Sequence, residues 1–204
     1  MSTKLATAWF NRGLEAQALA SEAKTAAERQ KHGRAAVDAL MVAASLGDRD
    51  AFLQLGAYYR DGEFGIIPVQ PDIAEHWFRL GAAAGDATAM LALGILVKEL
   101  GRRSEGRRWL RKALAHGDGG AACHLGREVE AKSPSRALRW YLKGAALGDP
   151  VAAYFAGEAL EARGTRADLG RAAKMYERAA RKGFPDAGSA LERVRRHLRD
   201  EGLD

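Results

Sequence analysis

The sequence predicts an all-α fold of stacked helical repeats, a solenoid, and three observations predict it. The first is a glycine four residues before an alanine, which recurs at Gly47, Gly85, Gly117, Gly148 and Gly183. These glycines are 38, 32, 31 and 35 residues apart, a period typical of helical repeats. The second is another glycine nine residues after each of the first four, and the third is apolar residues at helical spacing between them. Stacking such repeats buries one continuous core.

Residues 133–163 show how one repeat is built. Ser133 is a good N-cap and Pro134 suits the first helical position, where no amide donor is needed. Gly148 ends this helix, because glycine adopts the left-handed conformation of a helix C-terminus at low cost. Asp149 then caps a second helix. Each repeat is therefore predicted to be a pair of antiparallel helices joined at a tight Gly-Asp corner.

The corner and the aromatic positions recur in the other copies. The other corners are Gly47-Asp48, Gly85-Asp86 and Gly117-Asp118, with Gly183-Phe184-Pro185 in the last copy. Eight residues before a corner glycine stand Trp77, Trp109 and Trp140, and Met175-Tyr176 in the last copy. We expect these bulky rings to lie in the core, against the alanines and glycines of a neighbouring helix.

The helices follow in order from these signals. They are predicted at 3–20, 22–46, 49–60, 72–84, 87–100, 104–116, 119–131, 134–147, 150–163, 168–182 and 185–200. The second is expected to break near Gly33, and Asp72 and Asp168 are expected to be N-caps. Glu192, Arg195 and Arg196 replace the small and apolar residues of earlier copies, as suits a last helix that faces water.

Three stretches carry a resemblance to a known family. They are AEHWFRLGAAAGDATAMLALG, ALRWYLKGAALGDPVAAYFAG and DLGRAAKMYERAARKGFPDAGSAL. They resemble Sel1-like repeats, which are relatives of the tetratricopeptide repeat, and residues 34–199 fit the pattern in phase. The resemblance implies a right-handed α/α superhelix that binds other proteins. Residues 1–33 are then an N-terminal helical cap or degenerate repeat, and residues 200–204 are a C-terminal tail.

One long loop, Asp61–Pro71, is apolar, with Phe64, Ile66, Ile67 and Val69. Two interpretations stay open. The loop folds back over a neighbouring helix pair, as is usual because monomers rarely expose large apolar patches. Alternatively, it is a partner-binding lip.

The composition favours a cytoplasmic protein. Cys123 is the single cysteine, which rules out an intramolecular disulfide. The first residues contain no apolar run of signal-peptide length, and no stretch approaches the roughly 18 apolar residues of a membrane span. We expect a protein without a membrane segment, and a monomer is favoured.

The sequence contains no motif for catalysis, cofactors or metals. The five histidines show no metal-ligand spacing, and the glycines form no phosphate-binding loop. Cys123 is best interpreted as a small hydrophobe in a half-buried helix. Glu158 and Glu161 lie one turn apart, and surface charge explains them. We predict a protein that is not an enzyme, without cofactor or metal.

Helix periodicity, with the analogy to tetratricopeptide-like folds, predicts where a partner binds. Side chains six and ten residues after a corner glycine point away from the helix pair and towards the concave groove. The candidate partner-binding residues at these positions are Leu53, Leu91, Ile95, Arg127, Tyr154 and Glu158. Tyrosine and arginine are favoured at interface hot spots. The alternative is that these residues are ordinary, partly exposed repeat surface.

Charge separates the possible partners. The net charge of +6 is concentrated after residue 97, with clusters at Lys98, Arg102, Arg103, Arg107, Arg108, Arg111 and Lys112, and at Arg193, Arg195, Arg196 and Arg199. Nucleic-acid binding needs exposed aromatic rings beside such charge, and the repeat assigns the nearby Trp109 to the core. We therefore favour an acidic protein partner over nucleic acid.

The predicted function is a non-catalytic adaptor or scaffold that binds a protein or peptide in its groove. The alternative is a cytoplasmic immunity protein that neutralises a cognate toxin by direct occlusion, a role known among small proteins of the resembled family. A third, less favoured possibility is nucleic-acid binding through the basic C-terminal half.

Overall fold

The structure is a computed structural model that describes residues 2–200, with Ser2 described by its backbone alone. The chain forms two compact units, Met1–Trp109 and Leu110–Asp204. The N-terminal unit contains α1 (Ser2–Glu22), α2 (Ala26–Ser45), α3 (Arg49–Asp61), α4 (Pro71–Ala83) and α5 (Ala87–Glu99). The unit boundary falls within α6 (Arg103–Ala115). The C-terminal unit contains α7 (Gly119–Val129), α8 (Pro134–Ala146), α9 (Pro150–Glu161), α10 (Arg166–Arg181) and α11 (Ala187–Asp200).

These eleven helices, with no strand among the described residues, confirm the predicted all-α fold class. Of the predicted C-terminal tail, residues 201–204 lie outside the described residues, and Asp200 is the last residue of α11. The division into a cap, a repeat region and a tail stays a prediction.

The Gly-Asp corners have a simple physical basis. All five corner glycines have positive φ, from 79° at Gly183 to 94° at Gly117. In the first four corners the following aspartate caps the next helix, and its carboxylate accepts a hydrogen bond from the amide of the alanine three residues on. At Asp149 this bond to the Ala152 amide is 2.6 Å long, and at Asp118 the bond to the Ala121 amide is 3.0 Å long. The recurring alanine is therefore both the capped amide and a fully buried side chain.

Three local predictions were wrong. Helix α2 runs unbroken through Gly33, which is buried because the Phe64 ring packs directly on it. The N-cap of α4 is Gln70, and Asp72 lies in the first turn. The N-cap of α10 is Thr165, whose hydroxyl accepts from the Asp168 amide and donates to the Asp168 carboxylate. In both helices the predicted aspartate lies in the first turn, where its negative charge interacts favourably with the helix dipole.

In two repeats the ring that lies against glycine belongs to the residue after the predicted tryptophan, whereas in the last copy the predicted Tyr176 ring does so. Phe78 packs on Gly56, Tyr141 on Gly126 and Tyr176 on Gly157, and all three rings are fully buried. A Cβ on Gly157 would lie 2.6 Å from the Tyr176 ring, closer than real Cβ contacts. Trp77, Trp109 and Trp140 are only half-buried, because a residue next to the core position on a helix is rotated by about 100°.

The Asp61–Pro71 loop packs onto the N-terminal unit, in agreement with the fold-back interpretation. Phe64 adopts a positive φ of 57°, and its ring meets Tyr58 edge-on at 5.2 Å between centroids. Ile67 is buried, whereas Val69 stays exposed. Most of the apolar surface of the loop is therefore used inside this unit.

Candidate functional site

The C-terminal unit brings three of the six predicted partner residues onto one surface of α7 and α9. Arg127 is exposed, and its guanidinium lies over the Phe155 ring at 5.7 Å. Phe155 meets Tyr154 at 5.9 Å between ring centroids. Tyr154 and Glu158 lie one turn apart on α9, and the phenol hydroxyl faces the Glu158 carboxylate.

Tyr154 is more deeply integrated than the sequence indicated. Its ring packs against Tyr176 at 5.5 Å and against Phe184 at 4.6 Å between centroids. The side chain is half-buried and borders two core clusters of this unit. The Tyr154 ring therefore helps to hold α9 to α10, and part of the side chain stays accessible.

Beside these residues lies a closed polar clamp. The Glu161 carboxylate at the end of α9 accepts a 2.6 Å hydrogen bond from the Tyr176 hydroxyl. The Arg193 guanidinium on α11 donates two more, of 2.9 and 2.8 Å, to the two oxygens. Arg193, helped by Tyr176, holds the pKa of Glu161 below its ordinary value, although partial burial acts against this. Glu161 is thus ionised and fully paired.

The pKa of Glu158 is shifted in the opposite direction to that of Glu161. Burial raises its pKa, and the charges of Glu130 and Glu161 raise it further, although the Tyr154 hydroxyl and Arg193 act in the other direction. Neither Glu130 nor Glu158 forms an ion pair among the described residues, and both are exposed. We name this surface the C-terminal polar face, formed by Arg127, Glu130, Tyr154, Glu158, Glu161 and Arg193. From the sequence, Glu161 was explained by surface charge and Glu158 was also a candidate partner-binding residue, whereas Glu130 and the clamp were not predicted.

The other three predicted residues lie in the N-terminal unit and are half-buried. Leu91 and Ile95 lie one turn apart on α5, and Leu53 lies on α3. Half-buried aliphatic side chains can supply apolar contact to a partner, but they carry no chemistry of their own.

Cys123 was predicted to be a small hydrophobe in a half-buried helix, and it lies in the core with 5% of its surface exposed. Burial raises its thiol pKa to about 11, and the nearby Asp149 charge adds to this effect. The thiol is therefore a packing group and not a nucleophile at neutral pH, because the thiolate is the reactive form. Among the described residues no three His, Cys, Asp or Glu side chains cluster as metal ligands. None of the described helices is long and apolar enough to cross a membrane.

Part of the predicted basic cluster is neutralised. Arg102 forms ion pairs with Glu75 and Glu105, and Arg79 joins the same two carboxylates at 2.7 and 2.6 Å. Trp109 is half-buried and not in the core, with the Arg79 guanidinium 5.9 Å from its ring. The four arginines of α6 are exposed: Arg103, Arg107, Arg108 and Arg111.

Helix α8 carries a basic surface that the sequence analysis missed. Arg136, Arg139, Trp140 and Lys143 line a shallow depression. The Lys143 ammonium lies 5.1 Å from the Trp140 ring centroid, in cation–π geometry. The i, i+3, i+4 and i+7 spacing of these residues was the signal available in the sequence.

The comparisons with known proteins agree with this architecture. The family model described as Sel1 repeat matches residues 51–86, 87–118, 120–149 and 150–184. No curated protein matches the chain. A Sel1 repeat protein from Oxalobacter formigenes is 28% identical with a TM-score of 0.65, over 78% of this chain and 66% of that one. A protective antigen of uropathogenic Escherichia coli with an SLR fold is 24% identical with a TM-score of 0.72, over 95% of this chain and 42% of that one.

The chain thus spans less than two thirds of each of these two proteins. An immunity protein from Pseudomonas aeruginosa also matches, at 20% identity and a TM-score of 0.41, over 93% of this chain and 81% of that one. A similarity that low does not bear on function. The four matched repeats cover most of the sequence, and they confirm the family that the sequence resembles. The chain belongs to the Sel1 repeat family, whose repeats generally mediate protein–protein interaction.

Proposed function

We propose that this protein is a non-catalytic interaction module that binds a partner protein, with one contact surface in each unit. In the C-terminal unit the contact residues are Arg127, Tyr154 and Glu158, and in the N-terminal unit they are Leu53, Leu91 and Ile95. The observation that carries the proposal is an exposed Arg127 and an exposed Glu158, which forms no ion pair among the described residues, beside the Tyr154–Phe155 rings. Aromatic rings flanked by charged groups are typical of interface hot spots.

The partner is proposed to be acidic where it meets α6 and α8. Exposed arginines on α6 and the basic depression on α8 favour negative charge, and such fields accelerate association. Cytoplasmic location and a monomeric state remain part of this proposal. The single, buried Cys123 supports the first, because a reducing compartment suits a protein without disulfides.

The test is capture of partners by the tagged full-length chain from its native cell extract, at two salt concentrations. The variant carries Arg127→Glu with Glu158→Lys, which leaves the net charge and the buried rings unchanged. The matched control carries Arg181→Glu with Glu177→Lys on α10, where the native residues form an exposed ion pair of 2.9 Å. We expect the chain to capture one protein in stoichiometric amount, and this binding to persist at high salt. The variant is expected to lose the binding and the control to keep it.

Two other outcomes contradict parts of the proposal. If the chain captures nucleic acid, and this binding is lost at high salt but unchanged in the variant, the binding function belongs to the basic surfaces. A single partner bound with nanomolar or tighter affinity, whose toxic activity the protein abolishes, identifies an immunity protein instead of an adaptor.

A further inference from the structure

Two successive repeats of the C-terminal unit contain the same tyrosine–glutamate arrangement. Tyr176 packs on Gly157, and Glu161 stands four residues after that glycine. Tyr141 packs on Gly126 in the same way, and Glu130 stands four residues after it. Each buried phenol therefore faces a carboxylate at the end of the preceding helix. Burial raises the pKa of Tyr141, and the Glu130 charge raises it further.

The residue that stands beside the tyrosine and the glutamate differs between the two repeats. Arg193 stands ten residues after the corner Gly183 and clamps Glu161. The equivalent residue ten positions after Gly148 is Glu158, so this repeat has a carboxylate at the sequence position where the next repeat has Arg193. These two carboxylates repel each other, and the charge of Glu130 contributes to the raised pKa of Glu158.

The Tyr141 hydroxyl beside Glu130 lacks the hydrogen bond that its equivalent forms in the next repeat. The Tyr141 side chain is fully buried and its hydroxyl faces the Glu130 carboxylate, but the two groups are not within normal hydrogen-bond geometry. The equivalent hydroxyl of Tyr176 donates at 2.6 Å to its glutamate. A carboxylate already held by a cation is fixed in position and accepts the phenol, whereas the Glu130 carboxylate has no cation to fix it.

We infer that Glu130 and Glu158, backed by the Tyr141 hydroxyl, bind the guanidinium group of an arginine on the partner protein. The incoming group takes the role that Arg193 has one repeat later, and a planar guanidinium can bridge both carboxylates with paired hydrogen bonds. This inference rests on the proposed function, because it identifies which side chain of the partner meets the C-terminal polar face. It places an arginine at one point of a partner that is acidic elsewhere.

The first experiment titrates the full-length protein with N-acetyl-arginine amide and follows backbone and tyrosine NMR signals. We expect saturable shifts around Glu130, Tyr141 and Glu158, with a dissociation constant on the order of millimolar. N-acetyl-citrulline amide has nearly the same shape without the charge and is expected to cause no saturable shift. N-acetyl-lysine amide is expected to bind more weakly, because an ammonium cannot bridge two carboxylates as a planar fork does.

Variants make this titration specific. Glu130→Gln and Glu158→Gln are each expected to weaken arginine-amide binding about tenfold, and Glu15→Gln, an exposed acid of the N-terminal unit, is expected to change nothing. Glu158→Arg places the residue type of position 193 at the equivalent position. We expect it to raise the melting temperature relative to Glu158→Gln and to abolish probe binding, because the added side chain occupies the site.

The inference is overturned if citrulline amide binds as well as arginine amide, or if binding persists unchanged in both glutamine variants. It is also overturned if Glu158→Arg folds but still binds the probe. Suppose that arginine amide does not bind, but the variant Arg127→Glu with Glu158→Lys no longer captures the partner. This result contradicts the arginine subsite alone. Capture that is indifferent to that variant sinks the proposed function, whatever the arginine titration shows.

Discussion

The repeats that end at Glu130 and Glu161 have the same packing and different charges. In both, a tyrosine ring lies on a glycine of the preceding helix and is fully buried. Only the later one has Arg193, which pairs with its glutamate, whereas the earlier one has Glu158 at that position. The difference teaches that the apolar layer of the repeat specifies the fold, and that the polar layer above it is free to vary and can serve recognition.

The largest effect is expected where the two repeats are the same. Gly126→Leu and Gly157→Leu are each expected to lower the free energy of unfolding by about 1–3 kcal/mol, because the added side chain collides with a fully buried tyrosine ring. Chemical denaturation of both variants measures it. Gly170→Ala on α10 is the control, because a Cβ there meets nothing within 4 Å, and it is expected to stabilise by about 0.4–1 kcal/mol. Clearly unequal losses at the two glycines would contradict the equivalence of the packing layers.

A smaller effect separates the two phenols. Tyr176→Phe removes a 2.6 Å hydrogen bond to an ionised glutamate and is expected to cost about 1–2 kcal/mol, somewhat below a fully buried bond to a charge. Tyr141→Phe removes a buried hydroxyl that faces Glu130 without a hydrogen bond of normal geometry, so its expected effect is close to zero or slightly stabilising. Both variants keep the ring, and thermal unfolding compares them directly. Equal costs would show that Tyr141 already has a partner and that the comparison is wrong.

Much of the fold was predictable because the repeat signal is local and periodic. The corner glycines and their aspartates identify helix ends by backbone geometry and capping, and the structure has both where they were predicted. At two aromatic positions the prediction chose the tryptophan, whereas the next residue faces the core. The dipeptides at 77–78 and 140–141 each contain two large rings, and composition alone does not show which of the two faces the core.

The candidate site was less predictable, because its contacts join residues from four helices, α7, α9, α10 and α11. Helical spacing placed Arg127, Tyr154 and Glu158 on exposed or half-buried positions, and the structure agrees. The pairing of Glu161 with Arg193 spans 32 residues, and nothing in the sequence of either helix indicates it. A comparison of equivalent positions across repeats would have shown that Glu158 and Arg193 share one position with opposite charge.

The clamp itself is expected to contribute little to stability. Arg193→Ala is expected to lower the free energy of unfolding by at most about 1 kcal/mol, because the arginine side chain is 57% exposed and solvent screens the pair. Arg196→Ala, three residues on along α11 and also exposed, is the control and is expected to leave stability unchanged. The measurement is urea denaturation at low and high salt, and the Arg193 effect is expected to shrink at high salt. A loss that is insensitive to salt would indicate packing and not charge.

The smallest effect is the opposite pH dependence of the two glutamates on α9. The pKa of Glu161 is lowered by Arg193, so its stabilising contribution is present above the unfolded-state value near 4.5 and is lost as pH falls through the folded value. The pKa of Glu158 is raised by burial and by Glu130, so its contribution is present below about 4.5 and is lost as pH rises through the folded value.

Carbon-detected NMR titration of the two carboxyl groups checks the order directly. Glu161 is expected to titrate below Glu158, and Arg193→Gln is expected to move the Glu161 titration upwards. Stability measured against pH gives the second test, because Glu158→Gln removes a carboxylate that is unfavourable when ionised. This variant is expected to gain stability relative to the wild type as pH rises above about 4.5. If the pKa of Glu158 is equal to or below that of Glu161, a cation of the chain already neutralises Glu158. The proposed arginine site at Glu130 and Glu158 is then occupied without a partner.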